Sequence, residues 1–193
     1  MTGPGPRIGL ITGTRIAAIC GIHPYLTPLG AWREIVGLAP PKPDTPAMTR
    51  GRKREPIIAA QYAAETGHTL VPGGPTRIHP QHAWAAGTPD YLDRGRDDEI
   101  TDTVIEIKTT SRWGDYGEPG TDAVPPHVRC QVAWYLAVCD LPRALVLVEI
   151  ARAPYVAFPI ARDLEFERNL LDIAADFHAR YVATGIEPGS EGI

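Results

Sequence analysis

The chain of 193 residues is poor in cysteine, in histidine pairs and in long apolar runs, and each shortage removes a class of protein. Its three cysteines, Cys20, Cys130 and Cys139, are too few for a disulfide scaffold or for the four thiolates of an iron–sulfur cluster, and they stand in no zinc-like spacing. Cys130 and Cys139 fall inside an apolar helical pattern, so buried thiols in a reducing compartment are expected. No stretch approaches the roughly 20 apolar residues that cross a bilayer. The N-terminus lacks the charged, apolar and small-residue order of a signal peptide, so the expectation is a cytoplasmic chain with no membrane partner. The six histidines form no H-x-x-x-H or H-E-x-x-H pair. His79 and His82 flank a turn and read as surface residues, so zinc is not expected. A basic excess is missing too: the net charge of −4 argues against a generally basic nucleic-acid binder. The distribution is uneven, with 8 Lys+Arg against 3 Asp+Glu in residues 1–62 and 11 against 20 in residues 63–193.

What is present suits one domain, because 44% hydrophobic residues supply a sizeable core. Thr14 to Cys20 and Gly30 to Leu38 read as short helices, the second with Trp32, Ile35 and Val36 at helical spacing. The Pro-rich run at 39–43 reads as a linker. Thr45 to Thr66 predicts a long helix closed by Gly67 in the left-handed conformation. Three β-like runs follow, Thr76 to His79, Ala83 to Leu92 and Thr103 to Thr110, expected as consecutive antiparallel strands. Pro125 to Cys139 is an amphipathic helix by its spacing of Val128, Val132, Leu136 and Cys139. Ala144 to Ile150 is a continuous apolar run suited to a buried strand, Tyr155 to Ile160 a partner, and Asp163 a cap for a last helix ending near Thr184.

Chemistry enters at Thr103 to Thr110. Side chains alternate along a strand, so Glu106 and Lys108 share one face. The preceding run brings Asp90 after Pro89, which disfavours regular pairing and predicts a bend beside the acid. Two carboxylates from adjacent strands share a hard divalent cation of the Mg²⁺ kind, and such a cation with a nearby lysine suits phosphodiester hydrolysis. By these residues alone Lys108 would orient or deprotonate a water, or neutralise developing charge. An isolated E-x-K reads first as a solvent-facing pair on an edge strand. Glu55, taken alone, is also a charge favoured near a helix N-terminus. Trp134 and Tyr135 on an apolar helix read first as packing. The run Arg50, Arg52, Lys53, Arg54 reads equally as a solvated helix face or as a phosphate track.

The order of short motifs is what gives these residues meaning. Arg50-Gly51-x-x-x-Glu55-Pro56, Gly87-Thr88-Pro89-Asp90, Glu106-Ile107-Lys108 and Gln131-x-x-x-Tyr135 succeed one another over about 90 residues, counted directly along the chain. They resemble the YqaJ-like viral recombinase and phage lambda exonuclease family of PD-(D/E)xK nucleases. Upstream, Arg7-Ile8-Gly9-Leu10-Ile11-Thr12-Gly13-Thr14 and Gly21-Ile22-His23-Pro24-Tyr25 resemble the family's opening segments, so the resemblance spans residues 7 to 150.

The resemblance implies an α/β (α+β) fold: a restriction-endonuclease-like core with a central mixed β-sheet flanked by helices and an N-terminal helical extension. It implies one nuclease domain, with a 5′-phosphate-binding segment at 1–44, a catalytic core at 45–161 and a C-terminal helix and tail at 162–193. Asp90, Glu106 and the carbonyl of Ile107 would hold metal, one or two ions of Mg²⁺ or Mn²⁺. Lys108 would be the catalytic lysine, Glu55 would hold a second ion or its water, and Gln131 with Tyr135 would reach a phosphate or an active-site carboxylate. Arg7, Thr14 and Arg112 would grip a terminal 5′-phosphate, and Arg52 and Arg54 would contact DNA. The segment between Lys108 and Arg112 is shorter than the family pattern. The activity implied is 5′ to 3′ degradation of double-stranded DNA ends, leaving 3′ single strands for phage-type recombination. The implied partners are a single-strand annealing protein and further copies of the chain in a ring. An endonuclease, a CRISPR-associated-type nuclease or an inactive DNA-binding protein on the same fold stay open, because fold does not fix substrate geometry.

Overall fold

The computed structural model of the chain describes residues 7–40, 43–96 and 103–189. Of the Pro-rich run at 39–43, residues 41 and 42 lie outside the described residues, as do the two ends of the flanking segments assigned by sequence, 1–6 and 190–193. Three helices open the chain: α1 (Gly13–Ile19), α2 (Pro28–Ile35) and α3 (Pro46–Thr66). The Thr27 hydroxyl accepts the Gly30 N–H at 3.1 Å and the Thr45 hydroxyl accepts the Met48 N–H at 3.2 Å. Each side chain thus satisfies a helix-end donor, and a proline fills the first helical position where its missing N–H is harmless. Gly67 closes α3 at φ 72°.

Four short strands come next, β1 (Leu70–Pro72), β2 (Arg77–Ile78), β3 (Ala86–Gly87) and β4 (Tyr91–Asp93), followed by the long β5 (Thr103–Thr110). Then α4 (Pro126–Cys139) connects β5 to the parallel β6 (Arg143–Ile150), and β7 (Val156–Ala161) returns antiparallel. The last helix, α5 (Leu164–Phe177), is capped by the Asp163 carboxylate and runs into a π-helical turn, His178–Val182. The main sheet has the order β1-β4-β5-β6-β7, mixed in direction as expected, with β5 at its centre.

One expectation is corrected and one element is added. The run Ala83 to Leu92 is not one strand: β3 pairs with β2 in a separate two-stranded ladder, and only β4 joins β5. Pro89 is the reason, since it has no N–H to give a ladder. The strand β1, which pairs with β4, has no strand-like sequence signal because it is three residues long and ends in Pro72.

Alternation along β5 and β6 sorts the core into two layers. Val104, Val146 and Val148, with Phe158 and Ile160 of β7, pack under α1, α4 and α5, with the fully buried Trp134 donating its indole N–H to the Ala86 carbonyl at 2.9 Å. Ile105, Ile107 and Leu147 face α3 through Ile58, Ala59 and Tyr62. Glu106 lies on the first of these faces, beneath α4, in what would otherwise be apolar core.

Candidate active site

β4 is too short to accompany β5 along its length. It pairs only with Thr103, Val104 and Ile105, so from Glu106 onward that edge of β5 has no strand partner among the described residues. Asp90, in the bend before β4, fills the first gap: its Oδ2 accepts the Ile107 N–H at 2.8 Å. In a strand the N–H and C=O of one residue emerge on the same side, so the Ile107 carbonyl is directed at the same open edge. Gly73 holds the bend from behind. Its N–H donates to the Asp90 carbonyl at 2.9 Å, and a Cβ there would lie 1.9 Å from the Pro89 oxygen. Only glycine lets the two backbones approach so closely.

Glu106, on β5, is almost fully buried, with 2% of its surface exposed. Its Oε1 accepts from Lys108 Nζ at 2.6 Å and from Gln131 Nε2 at 2.8 Å. Gln131 closes the ring, its Oε1 accepting from Lys108 Nζ at 2.9 Å and its Nε2 donating also to the Tyr135 hydroxyl at 3.0 Å. The four-residue spacing on α4 thus places amide and phenol side by side over the carboxylate. Both amide hydrogens of Gln131 and the oxygen of Tyr135 are engaged, while the Tyr135 hydroxyl hydrogen has no acceptor among the described residues. Gly87 makes room for that ring, since a Cβ at this position would stand 2.9 Å from Tyr135 Cδ1.

The electrostatics are unbalanced. Burial, and then the charge of Glu106, push the Asp90 carboxyl well above the usual range, against the opposing pull of Lys108. Burial and the charge of Glu106 raise Glu55 in the same way. Lys108 is raised although burial opposes it, because the carboxylates of Glu106 and Asp90 outweigh desolvation, so it stands as an ammonium and donor. Burial and Glu106 raise Tyr135, which keeps its proton. Glu106 Oε2 is buried with no hydrogen-bond partner. A buried orphan oxygen, two carboxylates with raised proton affinity and a carbonyl on an open strand edge are a donor set for a hard cation. Among the described residues no three His, Cys, Asp or Glu gather into a cage.

Asp90, Glu106, Ile107, Lys108, Gln131 and Tyr135 are therefore brought together, with Glu55 approaching from α3. Arg7 lies close enough to Tyr135 for its charge to act on the phenol, and its Nε is buried without a partner. Thr14 is exposed in the first turn of α1. Arg112 is exposed in the turn after β5, its backbone held by the Thr110 hydroxyl. Arg52 and Arg54 do not join the cluster: Arg52 is ion-paired with Asp44 on the surface, and Arg54 with the buried Glu149.

Sequence reasoning missed three contributors. Arg15 on α1 holds the Arg7 loop by donating to the carbonyls of Arg7 and Leu10 at 2.6 and 2.7 Å. Tyr116 and His127, brought in by the β5–α4 connection and the first turn of α4, feel the Lys108 charge. Their only sequence signal was a place between two motifs.

Residues 5–142 match the family model of the YqaJ-like viral recombinase domain. No curated protein matches the chain. Among solved structures, an alkaline exonuclease from Laribacter hongkongensis, LHK-Exo, is similar with a TM-score of 0.69 at 23% identity, covering 93% of each chain. LHK-Exo in complex with dAMP gives 0.73 at 22% identity, covering 92% of this chain and 90% of that one. A phage related exonuclease from Haemophilus somnus 129PT gives 0.62 at 11% identity, covering 92% and 96%. At these identities the likeness is one of fold.

Proposed function

We propose that the chain, which belongs to the YqaJ-like viral recombinase domain family, is a divalent-metal-dependent exonuclease that shortens double-stranded DNA from its ends. The observation that carries this reading is the closed set of Glu106, Lys108, Gln131 and Tyr135 facing Asp90, with Glu106 Oε2 left open. Asp90, Glu106 and the Ile107 carbonyl would hold one Mg²⁺ or Mn²⁺, and Glu55 a second ion or its water. When bound, such a cation neutralises charge on a phosphate and makes a nucleophile available at neutral pH.

The chain's own groups do the rest. Lys108, kept cationic by its two carboxylate neighbours, orients the attacking water and offsets charge growing on the phosphorus oxygens. A positioned ammonium serves these tasks better than a base here, since its proton is tightly held. Gln131 fixes Glu106 and Lys108 relative to each other, and Tyr135 has a free hydroxyl hydrogen to give a non-bridging phosphate oxygen. Arg7, with Thr14 and Arg112, would receive a terminal 5′-phosphate, giving 5′ to 3′ polarity and 3′ tails. The orphaned Arg7 Nε is the support for that assignment. Recombination with a single-strand annealing protein, and a ring of several copies, complete the proposal, with the family resemblance as their support.

A linear duplex carrying 5′-phosphates and a distinct fluorophore on each strand, incubated with Mg²⁺ and with EDTA as control, tests this. Shortening of each strand from its 5′ end with a fluorophore at its 3′ end retained, and no nicking of closed circular DNA, is the expected result. Cutting of the circle, or no hydrolysis with any divalent ion, overturns it.

A further inference from the structure

Beside the reacting centre, on the α3 side of the sheet, lies a cleft of about 760 Å³ lined among others by Arg50, Lys53, Arg54, Glu149 and Arg152. It shares Arg50, Glu149 and Arg152 with a smaller hollow of about 200 Å³ walled by Thr109, Thr110 and Ser111. Its two carboxylates are already matched, Asp44 by Arg52 and Glu149 by Arg54. Arg50, Lys53 and Arg152 are exposed and have no ion-pair partner among the described residues, so three cations from α3 and from the turn after β6 face one space without counter-charge.

The turn that presents Arg152 is itself costly. Ala151 and Arg152 adopt φ of 50° and 65°, and the Ala153 N–H returns to the Ile150 carbonyl at 2.9 Å. This is the pattern of a type I′ turn, whose central positions favour Asn and Gly and disfavour residues with an ordinary Cβ. The Ala151 N–H ties the turn to the Thr110 carbonyl at 2.8 Å, so Arg152 is held against the end of β5. A strained backbone that carries an unpaired guanidinium into a cleft of like charge is arranged for an anion. Thr110 lies two residues beyond Lys108, about 7 Å along the strand, so the cleft begins where the reacting centre ends.

We propose that this cleft is a second phosphate-binding groove, formed by Arg50, Lys53 and Arg152, which holds the DNA backbone beyond the reacting phosphate. It rests on the reading of the chain as a DNA nuclease. Arg54, which the sequence offered as a DNA contact, lines the same groove and is ion-paired with Glu149 in its wall.

Fluorescence anisotropy of the full chain with a labelled 5′-phosphorylated duplex in EDTA, from 50 to about 300 mM KCl, tests the groove without hydrolysis. Arg152→Gly relieves the turn and removes the charge. It should bind about tenfold more weakly and lower the salt slope by about 1, while its thermal midpoint stays level or rises. Arg152→Lys should restore the slope. The triple variant Arg50→Ala, Lys53→Ala, Arg152→Gly should lower the slope by about 3 while keeping the far-UV circular dichroism of the wild type. Wild-type affinity and slope in the folded triple variant would overturn the groove while leaving the nuclease reading intact. Failure of the wild-type chain to cut DNA would instead remove the nuclease reading itself.

Discussion

Asp90→Asn should make the metal-free chain more stable at neutral pH, although it removes a residue at the centre of the site. Asparagine keeps a side-chain oxygen to accept the Ile107 N–H, now 2.8 Å from Asp90 Oδ2, so the backbone contact survives. It removes a carboxylate that burial and Glu106 hold well above its ordinary range. Because the folded carboxyl binds its proton more tightly than the unfolded one near 3.9, folding stability falls as pH rises from the unfolded value towards the folded one. The gain from Asp90→Asn is therefore absent below about pH 4 and grows as pH rises towards the folded value. Each pH unit of displacement is worth about 1.4 kcal/mol, and a single stabilising substitution commonly gives about 0.5–2 kcal/mol. For a chain of this size that is roughly 1–8 °C in Tm. With Mg²⁺ the order reverses: an ion at about 100 times its Kd adds roughly 2.7 kcal/mol to the wild type, and the variant lacks one of its carboxylates. Thermal melts of both proteins at pH 4 and 7.5, in EDTA and in Mg²⁺, read all of this. An Asp90→Asn chain that melts below wild type in EDTA at pH 7.5, or that responds to Mg²⁺ as wild type does, refutes the reasoning.

Four other outcomes follow from the same geometry. Lys108→Ala should abolish hydrolysis, at least 1000-fold, while leaving far-UV circular dichroism unchanged, and normal cleavage by it would end the assigned role. Arg7→Ala should slow degradation of 5′-phosphorylated ends about tenfold or more and hardly affect 5′-hydroxyl ends; an equal loss on both would remove the phosphate pocket. Gly87→Ala should cost about 1–3 kcal/mol by overpacking, since its methyl would meet the Tyr135 ring at 2.9 Å, and should lower kcat more than it raises KM. Arg54→Ala should destabilise the fold by about 1–3 kcal/mol, because the buried Glu149 loses its guanidinium partner; an unchanged urea midpoint would show the pair to be dispensable.

Much of the fold was legible because its long elements carry unambiguous periods. β5 runs from Thr103 to Thr110 as its alternation predicts, and α3, α4 and β6 differ by one residue at their starts. The short elements were not legible. Three residues of β1 and two each of β2 and β3 are too few for any period, and their pairing is decided by contacts with distant segments. In the site, Glu106 and Lys108 share a face by simple alternation, and Gln131 and Tyr135 by helical spacing. That the two pairs meet depends on α4 crossing over β5, which only the order of motifs hinted at. Arg54 shows the limit of charge patterning. The sequence places four cations in five residues, but burial of Glu149, 95 residues away, decides which of them has a structural task.

The features of the site that look unfavourable share one remedy. The charges of Glu55, Asp90 and Glu106 act on one another, and Lys108 is the ammonium hydrogen-bonded to Glu106. Folding tolerates this imbalance by raising proton affinities at Glu55 and Asp90 and by leaving Glu106 Oε2 without a donor. A protonated, neutral arrangement would be the cheaper solution if stability alone were selected, and a further lysine or arginine would be a simple way to reach neutrality. What the strand edge lacks is about two positive charges with no fixed direction of bonding. A divalent cation would supply them, so the same carboxylates that weaken the metal-free chain are the ones predicted to strengthen it when Mg²⁺ is supplied.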